Sequence, residues 1–255
     1  MLDFELLSIL LPAFAAGLLV LSTHVVLGQQ VLKRGIIFID LAIAQIAAVG
    51  AIVAHINHDL EQVAYANVWM PALFAFAGAG IISWLSGRFE EELEAFIGCF
   101  YVLSAVAAML LLANDPHGGE LLKQLMDGQI LWASWPQLVF PGLVYAAILA
   151  LLIARPGLLE GKLFYFLFAI VITLSVELVG VYLVFSTLIL PALALNQYKG
   201  NGRLGWAYLV GIIGYSLGLL VSAQYDLPSG ASIVACLAIS AIICRLLVSY
   251  SSKKS

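Results

Sequence analysis

The chain has 255 residues, of which 63% are hydrophobic and 10% are charged, and its formal net charge is −4. Soluble domains carry about 25% charged residues. This composition therefore excludes a soluble globular domain, and it predicts one transmembrane domain over residues 1–255 whose excess apolar surface faces lipid.

Eight apolar runs follow one another along the chain. Seven have nearly the length of about 20 residues that one membrane crossing needs: Leu6–Leu27, Ile36–Ile56, Val68–Ser86, Ala95–Ala113, Pro136–Ala154, Gly205–Gln224 and Gly230–Tyr250. The eighth, Leu163–Asn196, would be roughly 50 Å long as one straight helix, against a hydrocarbon core of about 30 Å. Because Gly180 lies near its middle, we expect this run to break there into two short arms. The predicted fold is an all-α polytopic membrane protein with eight to nine transmembrane segments and a broken helix around Gly180.

The distribution of Lys and Arg selects the orientation. If the eighth run crosses once, the two sides of the membrane carry nearly equal numbers of basic residues. If the chain turns back at Gly180, only Lys123 lies on one side, and the other side holds Lys33, Arg34, Arg88, Arg155, Lys162, Lys199, Arg203, Arg245, Lys253 and Lys254. Cytoplasmic loops are rich in Lys and Arg. The sequence therefore predicts a multi-pass plasma membrane protein with its N-terminus outside and its C-terminus in the cytoplasm.

Three ionisable side chains lie at membrane depth, namely His24, Asp40 and Glu177. Each costs roughly 2.5–3.5 kcal/mol on insertion scales, so each is a candidate functional residue. Asp40 is either an oxygen ligand for a divalent cation or a first-turn carboxylate that the helix dipole and Lys33 or Arg34 stabilise. His24 is either a second ligand, since imidazole and carboxylate together suit zinc, manganese or iron(II), or a helix–helix hydrogen-bonding group. Glu177 is either a cation site or gate beside the break, or an acceptor for backbone donors that the break frees.

Small residues continue the helical face of Asp40, namely Ala44, Ala47, Ala48 and Ala51. Because small residues permit close helix contact, we expect Asp40 to face a neighbouring helix or a pore and not lipid. Gln45 follows Asp40 by five residues, which is about 140° around the helix. Gln45 is therefore expected to bond a neighbouring helix and not to share one ion with Asp40 in the same copy.

Several functions find no support in the sequence. The stretch GLLEGK at Gly157–Lys162 has the wrong spacing for a phosphate-binding loop, and no hydroxyl residue follows it. There is no nucleophile–base arrangement, no zinc-protease motif and no sign of nucleic-acid binding, so the chain is not predicted to be an enzyme. An outer group of His55, His58, Asp59 and Glu61 either attracts cations or docks a donor protein, or is a plain solvated loop.

Three stretches resemble the permease subunits of ABC transporters for zinc, manganese or iron, the ABC-3 or ZnuB-like family. They are GQQVLKRGIIFIDLAIAQIAAVGA at Gly28–Ala51, VELVGVYLVFSTLILPALA at Val176–Ala194 and SAQYDLPSGASIV at Ser222–Val234. The order and spacing of the three motifs fit the family, and the resemblance covers nearly the whole chain.

The resemblance implies a homodimer in the bacterial plasma membrane with a central translocation path. It also implies a separate cytoplasmic ABC ATPase that hydrolyses ATP, and an extracytoplasmic metal-binding protein that delivers the ion. No permanently bound cofactor is implied, because the divalent metal is the cargo. By position the family's intramembrane Asp matches Asp40, whereas the family's His four residues later matches Ala44. This departure removes the usual partner of the Asp, and His24 is the candidate replacement.

The segment after Pro191 corresponds to the turn that docks the ATPase in such permeases. Its candidate coupling residues are Asn196, Tyr198, Lys199 and Arg203; the alternative is an ordinary basic inner loop. The sequence thus predicts the permease subunit of an ABC metal importer that works by ATP-driven alternating access. A stand-alone secondary metal or proton-coupled transporter is the first alternative, since a broken helix suits it as well. An exporter with a similar permease and a polytopic membrane enzyme are the others.

Overall fold

The fold is all-α, as predicted. The computed structural model describes residues 4–57, 65–128, 130–198, 200 and 202–252. Short 3₁₀ helices lie at Ile130–Trp132 and Pro156–Leu159. The α-helices in this part of the chain are α1 (Phe4–Arg34), α2 (Ile39–Ile56), α3 (Ala66–Leu85), α4 (Leu93–Leu111), α5 (Gly118–Asp127), α6 (Trp135–Ala154), α7 (Leu163–Val179), α8 (Val181–Ala194), α9 (Arg203–Tyr225) and α10 (Ser229–Ser252).

Seven helices of the described chain are long and apolar enough to cross a membrane, namely α1, α2, α3, α4, α6, α9 and α10. They coincide with the seven apolar runs of the sequence. Helices α7 and α8 have 17 and 14 residues, so they rise only about 26 Å and 21 Å. Neither arm alone reaches across a hydrocarbon core of about 30 Å. The predicted break is confirmed at Gly180, which separates the two arms.

Helix α5 is a finding that the sequence did not predict, since it lies outside the eight apolar runs. Three leucines, Leu121, Leu122 and Leu125, pack against a small buried cluster formed by Ile52, Ala108 and Leu112. The charged and amide side chains of α5 lie on its exposed face. Few residues of α5 other than these leucines are apolar. The helix is therefore stabilised by burial of the leucines against α2 and α4 and not by its overall composition.

The chain divides into two compact units. The first comprises α1, most of α6, the 3₁₀ helix Ile130–Trp132, and α8 to α10. Within it, α1 packs against α8 and α9, and α10 packs against both α8 and α9. A buried hydrogen bond of 2.7 Å joins the Thr187 hydroxyl of α8 to the Tyr215 hydroxyl of α9. This bond satisfies the one polar atom of a large, fully buried aromatic side chain.

The second unit comprises α2 to α5 and most of α7. Within it, α2 packs against both α3 and α4. The contact with α3 is close: a Cβ at Gly50 would lie 2.7 Å from the Met70 carbonyl oxygen, and one at Gly78 would lie 2.6 Å from Ile46 Cδ1. The small residues of α2 therefore serve close helix packing, as the sequence predicted.

Two glycines with positive φ meet in the first unit, at the helix break. Gly128 follows α5 with φ +66, and Gly180 has φ +81. A Cβ at Gly180 would lie 2.6 Å from Gly128 Cα, and a Cβ at Gly128 would overlap the Val179 carbonyl group. The end of α5 thus rests backbone to backbone on the junction of α7 and α8, where no side chain fits.

We expect Gly128→Ala and Gly180→Ala each to lower the free energy of unfolding by at least about 2 kcal/mol, because each adds backbone strain and a steric overlap. Thermal unfolding of the purified chain in detergent measures the loss. Gly98→Ala is the matched control, since no described atom lies within 4 Å of its added Cβ. Equal unfolding temperatures for all three variants would contradict the proposed backbone contact.

Candidate functional site

Asp40 lies in the first turn of α2 and is buried, with 1% of its surface exposed. Neither carboxylate oxygen has a hydrogen-bond partner among the residues that the structure describes. The favourable helix dipole remains available to Asp40, but it does not replace the hydrogen bonds that a buried carboxylate loses on leaving water. As expected from the small-residue face, Asp40 is enclosed by protein and keeps both oxygens free.

Gln45 is buried in α2 and donates from Nε2 to Met126 Sδ of α5 at 3.2 Å. The sequence predicted that this amide bonds a neighbouring helix, and the partner helix is α5. A thioether is a weak acceptor, and Gln45 Oε1 is buried without a partner in the described chain. Gln45 therefore links α2 to α5, while Asp40 lies nearer the start of α2.

His24 is fully buried in α1. Its Nδ1 lies 2.8 Å from the Val20 carbonyl oxygen of the same helix. A carbonyl oxygen only accepts, so Nδ1 carries the proton and Nε2 keeps its lone pair. No hydrogen-bond partner for Nε2 lies within the described residues. The imidazole thus bonds its own helix, which leaves Nε2 in the state that metal ligation requires.

Glu177 lies on the exposed surface of α7, three residues before the break. The described residues offer its carboxylate no hydrogen bond. The alternative in which Glu177 accepts from backbone donors freed at Gly180 therefore gains no support. Its role as a cation ligand or gate stays a prediction.

Glu94, in the first turn of α4, is a candidate that sequence reasoning missed. Its Oε1 accepts the backbone N–H of Phe38 at 3.1 Å. Phe38 is the N-cap residue of α2, and no side-chain cap bond is found for it in the described structure. Glu94 thus supplies from another helix the acceptor that the start of α2 lacks. The acidic run Glu90–Glu94 gave no local signal of this contact, which depends on the packing of α4 against α2.

The predicted coupling residues lie at the turn between α8 and α9. Arg203 Nη2 donates to Asn196 Oδ1 at 3.1 Å, across the turn. Tyr198 packs against the buried cluster that includes Leu21 and Leu195. Lys199 lies outside the described residues. The turn is held in the first unit by a side-chain bond and by an anchored aromatic ring.

Arg245 of α10 adds a third constraint near this turn, since its Nη1 donates to the Leu193 carbonyl oxygen at 3.1 Å. Leu193 lies in the last turn of α8, and its carbonyl oxygen also accepts the backbone N–H of Asn196 at 3.2 Å, so Arg245 uses its second lone pair. Arg245 therefore caps the arm that leads into the turn. No local pattern in the sequence indicated this role, because 52 residues separate the two partners.

The candidate ligands are divided between the two units, with His24 in the first and Asp40 and Glu177 in the second. The described residues contain no group of three or more His, Cys, Asp or Glu that could hold a metal ion. The role of each candidate as a path ligand stays a prediction. In the outer group, His55 Nε2 lies 3.9 Å from Asp115 Oδ2, while His58, Asp59 and Glu61 lie outside the described residues.

Comparison with known sequences gives a family match for part of the chain. Residues 155–248 match the sequence profile of the ABC 3 transport family (ABC-3). This segment belongs to the ABC 3 transport family. It contains two of the three motifs that suggested the resemblance, Val176–Ala194 and Ser222–Val234, and the resemblance is thereby confirmed.

A curated relative of this chain is the high-affinity zinc uptake system membrane protein ZnuB of Haemophilus influenzae. The two are 34% identical over 70 residues, which is 27% of this chain and 27% of that protein. The match therefore spans about a quarter of the relative's length, and it carries the family relationship without carrying the relative's whole activity.

Two solved structures share the fold. The structure of PsaBC from Streptococcus pneumoniae in complex with Fab has a TM-score of 0.69 at 20% identity, covering 95% of this chain and 91% of that one. A structure described as an inward-facing conformation of a metal-chelate type ABC transporter has a TM-score of 0.68 at 18% identity, covering 95% and 87%. The fold likeness thus extends over nearly the whole chain and beyond the segment that matches the family.

We expect Asp40→Asn to unfold at the same temperature as the wild type or at a higher one, because Asp40 makes no described hydrogen bond and its charge is costly to bury. Thr187→Val is the matched comparison. It leaves the Tyr215 hydroxyl buried without its partner, which costs about 1–3 kcal/mol. If Asp40→Asn lowers the unfolding temperature as much as Thr187→Val does, Asp40 has a structural partner.

Proposed function

We propose that this chain is the membrane-spanning permease subunit of an ABC importer for a divalent transition metal: zinc, manganese or iron. It moves the ion by ATP-driven alternating access. The ABC 3 segment supports the transporter class. The names of a relative and of a structural neighbour, a zinc uptake system and a metal-chelate type ABC transporter, support a metal as cargo.

One observation carries the transport function: Asp40 is buried in a membrane helix with both oxygens unpartnered. A fixed, unpaired carboxylate at membrane depth costs free energy in the empty protein. A divalent cation on the transport path offsets that cost, because its positive charge pairs with a carboxylate that has no partner among the described residues. Asp40 therefore acts as a path ligand, and His24 and Glu177 are the further candidates.

The proposed importer needs partners. The sequence has no phosphate-binding loop, so a separate cytoplasmic ABC ATPase hydrolyses ATP. An extracytoplasmic metal-binding protein delivers the ion, and a second copy of the chain completes the path in the lipid bilayer. The ten-to-one distribution of basic residues supports an orientation in the bacterial plasma membrane with the N-terminus outside and the C-terminus in the cytoplasm.

The turn between α8 and α9 is the proposed docking element for the ATPase. Its constraints are the Arg203–Asn196 bond, the anchored Tyr198 ring and the Arg245 cap on Leu193. A flexible loop would absorb a push from the ATPase by local movement. A turn that is bonded to α8, α9 and α10 instead transmits the movement of the ATPase to these three helices, which then move together.

A stand-alone secondary transporter is the second candidate, and the helix break at Gly180 favours it. Two short arms that meet at a non-helical residue are typical of substrate sites in secondary transporters. Uptake by the single chain without an ATPase or ATP distinguishes this candidate from the importer.

We expect proteoliposomes that carry the full complex to accumulate metal only when ATP is present, and Asp40→Ala to lower the initial uptake rate at least about tenfold, as loss of a metal ligand does. Uptake of radioactive Zn²⁺ or Mn²⁺ measures the rate. Gln45→Ala is the matched control on α2, because its amide bonds α5. Normal uptake by Asp40→Ala would make Asp40 structural and would remove it from the path.

We expect Arg203→Ala to lower ATP-driven uptake several-fold while metal binding by the purified chain is unchanged, because the bond across the coupling turn is lost. Arg88→Ala is the control. Arg88 is another basic residue of a predicted inner loop, and it stacks over Trp84 at 4.6 Å. Equal uptake by the two variants would contradict the coupling role.

A further inference from the structure

Glu94 and Asp40 are both placed at the start of α2. Glu94 accepts the N–H of Phe38, and Asp40 follows Phe38 by two residues in the first turn of the helix. The packing of α4 against α2 thus brings a second carboxylate to the candidate path ligand.

Oxygen atoms remain free on both carboxylates. Glu94 uses Oε1 for Phe38, and its Oε2 is buried without a described partner. Both carboxylate oxygens of Asp40 are also buried without a described hydrogen-bond partner. Two carboxylates with buried, unpartnered oxygens at one helix start repel each other and lose hydration, so the pair is favourable only when a positive charge joins it.

The donor atoms that the second unit supplies at this place are all hard, and the imidazole candidate His24 belongs to the first unit. Of the described histidines in the second unit, His55 lies 15 residues after Asp40, about 22 Å along the helix, and His117 lies at the same far end, where its N–H bonds Asp115. Cys99 is exposed on α4, five residues after Glu94 and about 140° around the helix. Carboxylate oxygens without imidazole or thiolate suit Mn²⁺ and Mg²⁺ better than Zn²⁺.

We propose that Glu94 is a second ligand beside Asp40, and that this two-carboxylate site selects Mn²⁺ over Zn²⁺. The proposal deepens the proposed function and rests on it, since it assumes that Asp40 meets the cargo. It assigns two tasks to Glu94. One oxygen caps the start of α2, and the other faces the ion, so the ligand is positioned by the helix that it caps.

The test is Mn²⁺ binding by the full-length chain in detergent, followed by the loss of the electron paramagnetic resonance signal of free Mn²⁺, with Zn²⁺ as competitor. We expect Glu94→Gln to weaken Mn²⁺ binding at least about tenfold, while it keeps an oxygen that accepts from Phe38. Glu92→Gln is the matched control, because Glu92 is an exposed carboxylate at the same end of α4 and binding should stay within twofold.

A second variant gives an independent readout of selectivity. Glu94→His replaces an oxygen ligand with an imidazole, so we expect the ratio of Zn²⁺ to Mn²⁺ affinity to rise at least about tenfold, as ligand softness dictates. An unchanged ratio would overturn the assignment of Glu94 as a ligand. Thermal unfolding of each variant verifies that the chain is folded.

The outcomes separate this proposal from the one on which it rests. If Glu94→Gln binds Mn²⁺ as tightly as Glu92→Gln, Glu94 is only a helix cap and the proposal is wrong. If Asp40→Asn then still abolishes binding, the proposed path ligand stands without Glu94. If Asp40→Asn binds normally, both the two-carboxylate site and the role of Asp40 in the proposed function fail.

Discussion

The backbone contact between Gly128 and Gly180 is the constraint on which the arrangement of the membrane segments depends. Non-helical backbone at membrane depth must be covered by protein, because lipid offers its amide groups no hydrogen bonds. The end of α5 rests on the junction of α7 and α8 at this point, and both glycines adopt positive φ with no room for a side chain. The long apolar segment thereby becomes two short arms. The predicted orientation of α9, α10 and the coupling turn depends on that break.

The second unit shows how close packing creates a polar site. Small residues let α2 approach α3 closely enough that Gly50 meets the backbone at Met70. Such packing removes water and lipid from the same helix, so Asp40 is enclosed without a partner. The close packing that stabilises these helices therefore also raises the free energy of the Asp40 carboxylate when no cation is bound to it.

The start of α2 connects helix capping with the proposed transport. Phe38 has no acceptor side chain, and the cap comes from Glu94 on α4. A change in the position of α4 relative to α2 would therefore alter both the cap and the spacing of the two carboxylates. On the other unit, the turn between α8 and α9 is held by side-chain bonds from α9 and α10. The proposed importer thus has a cargo site and a docking element that are each defined by contacts between helices.

The sequence by itself determined the all-α class, the seven long spans, the break at Gly180 and the resemblance to the ABC 3 transport family, because hydropathy, helix length and motif order are local properties. It also singled out Asp40 and predicted that Gln45 bonds a neighbouring helix. Only the tertiary structure decided that α5 is a helix, that Met126 is the partner of Gln45, and that Glu94 caps α2. Their partners lie 81 and 56 residues away along the chain, and each contact forms only when packing brings separate helices together. No local pattern encodes such a pairing, since its free energy comes from burial that the isolated segment does not have.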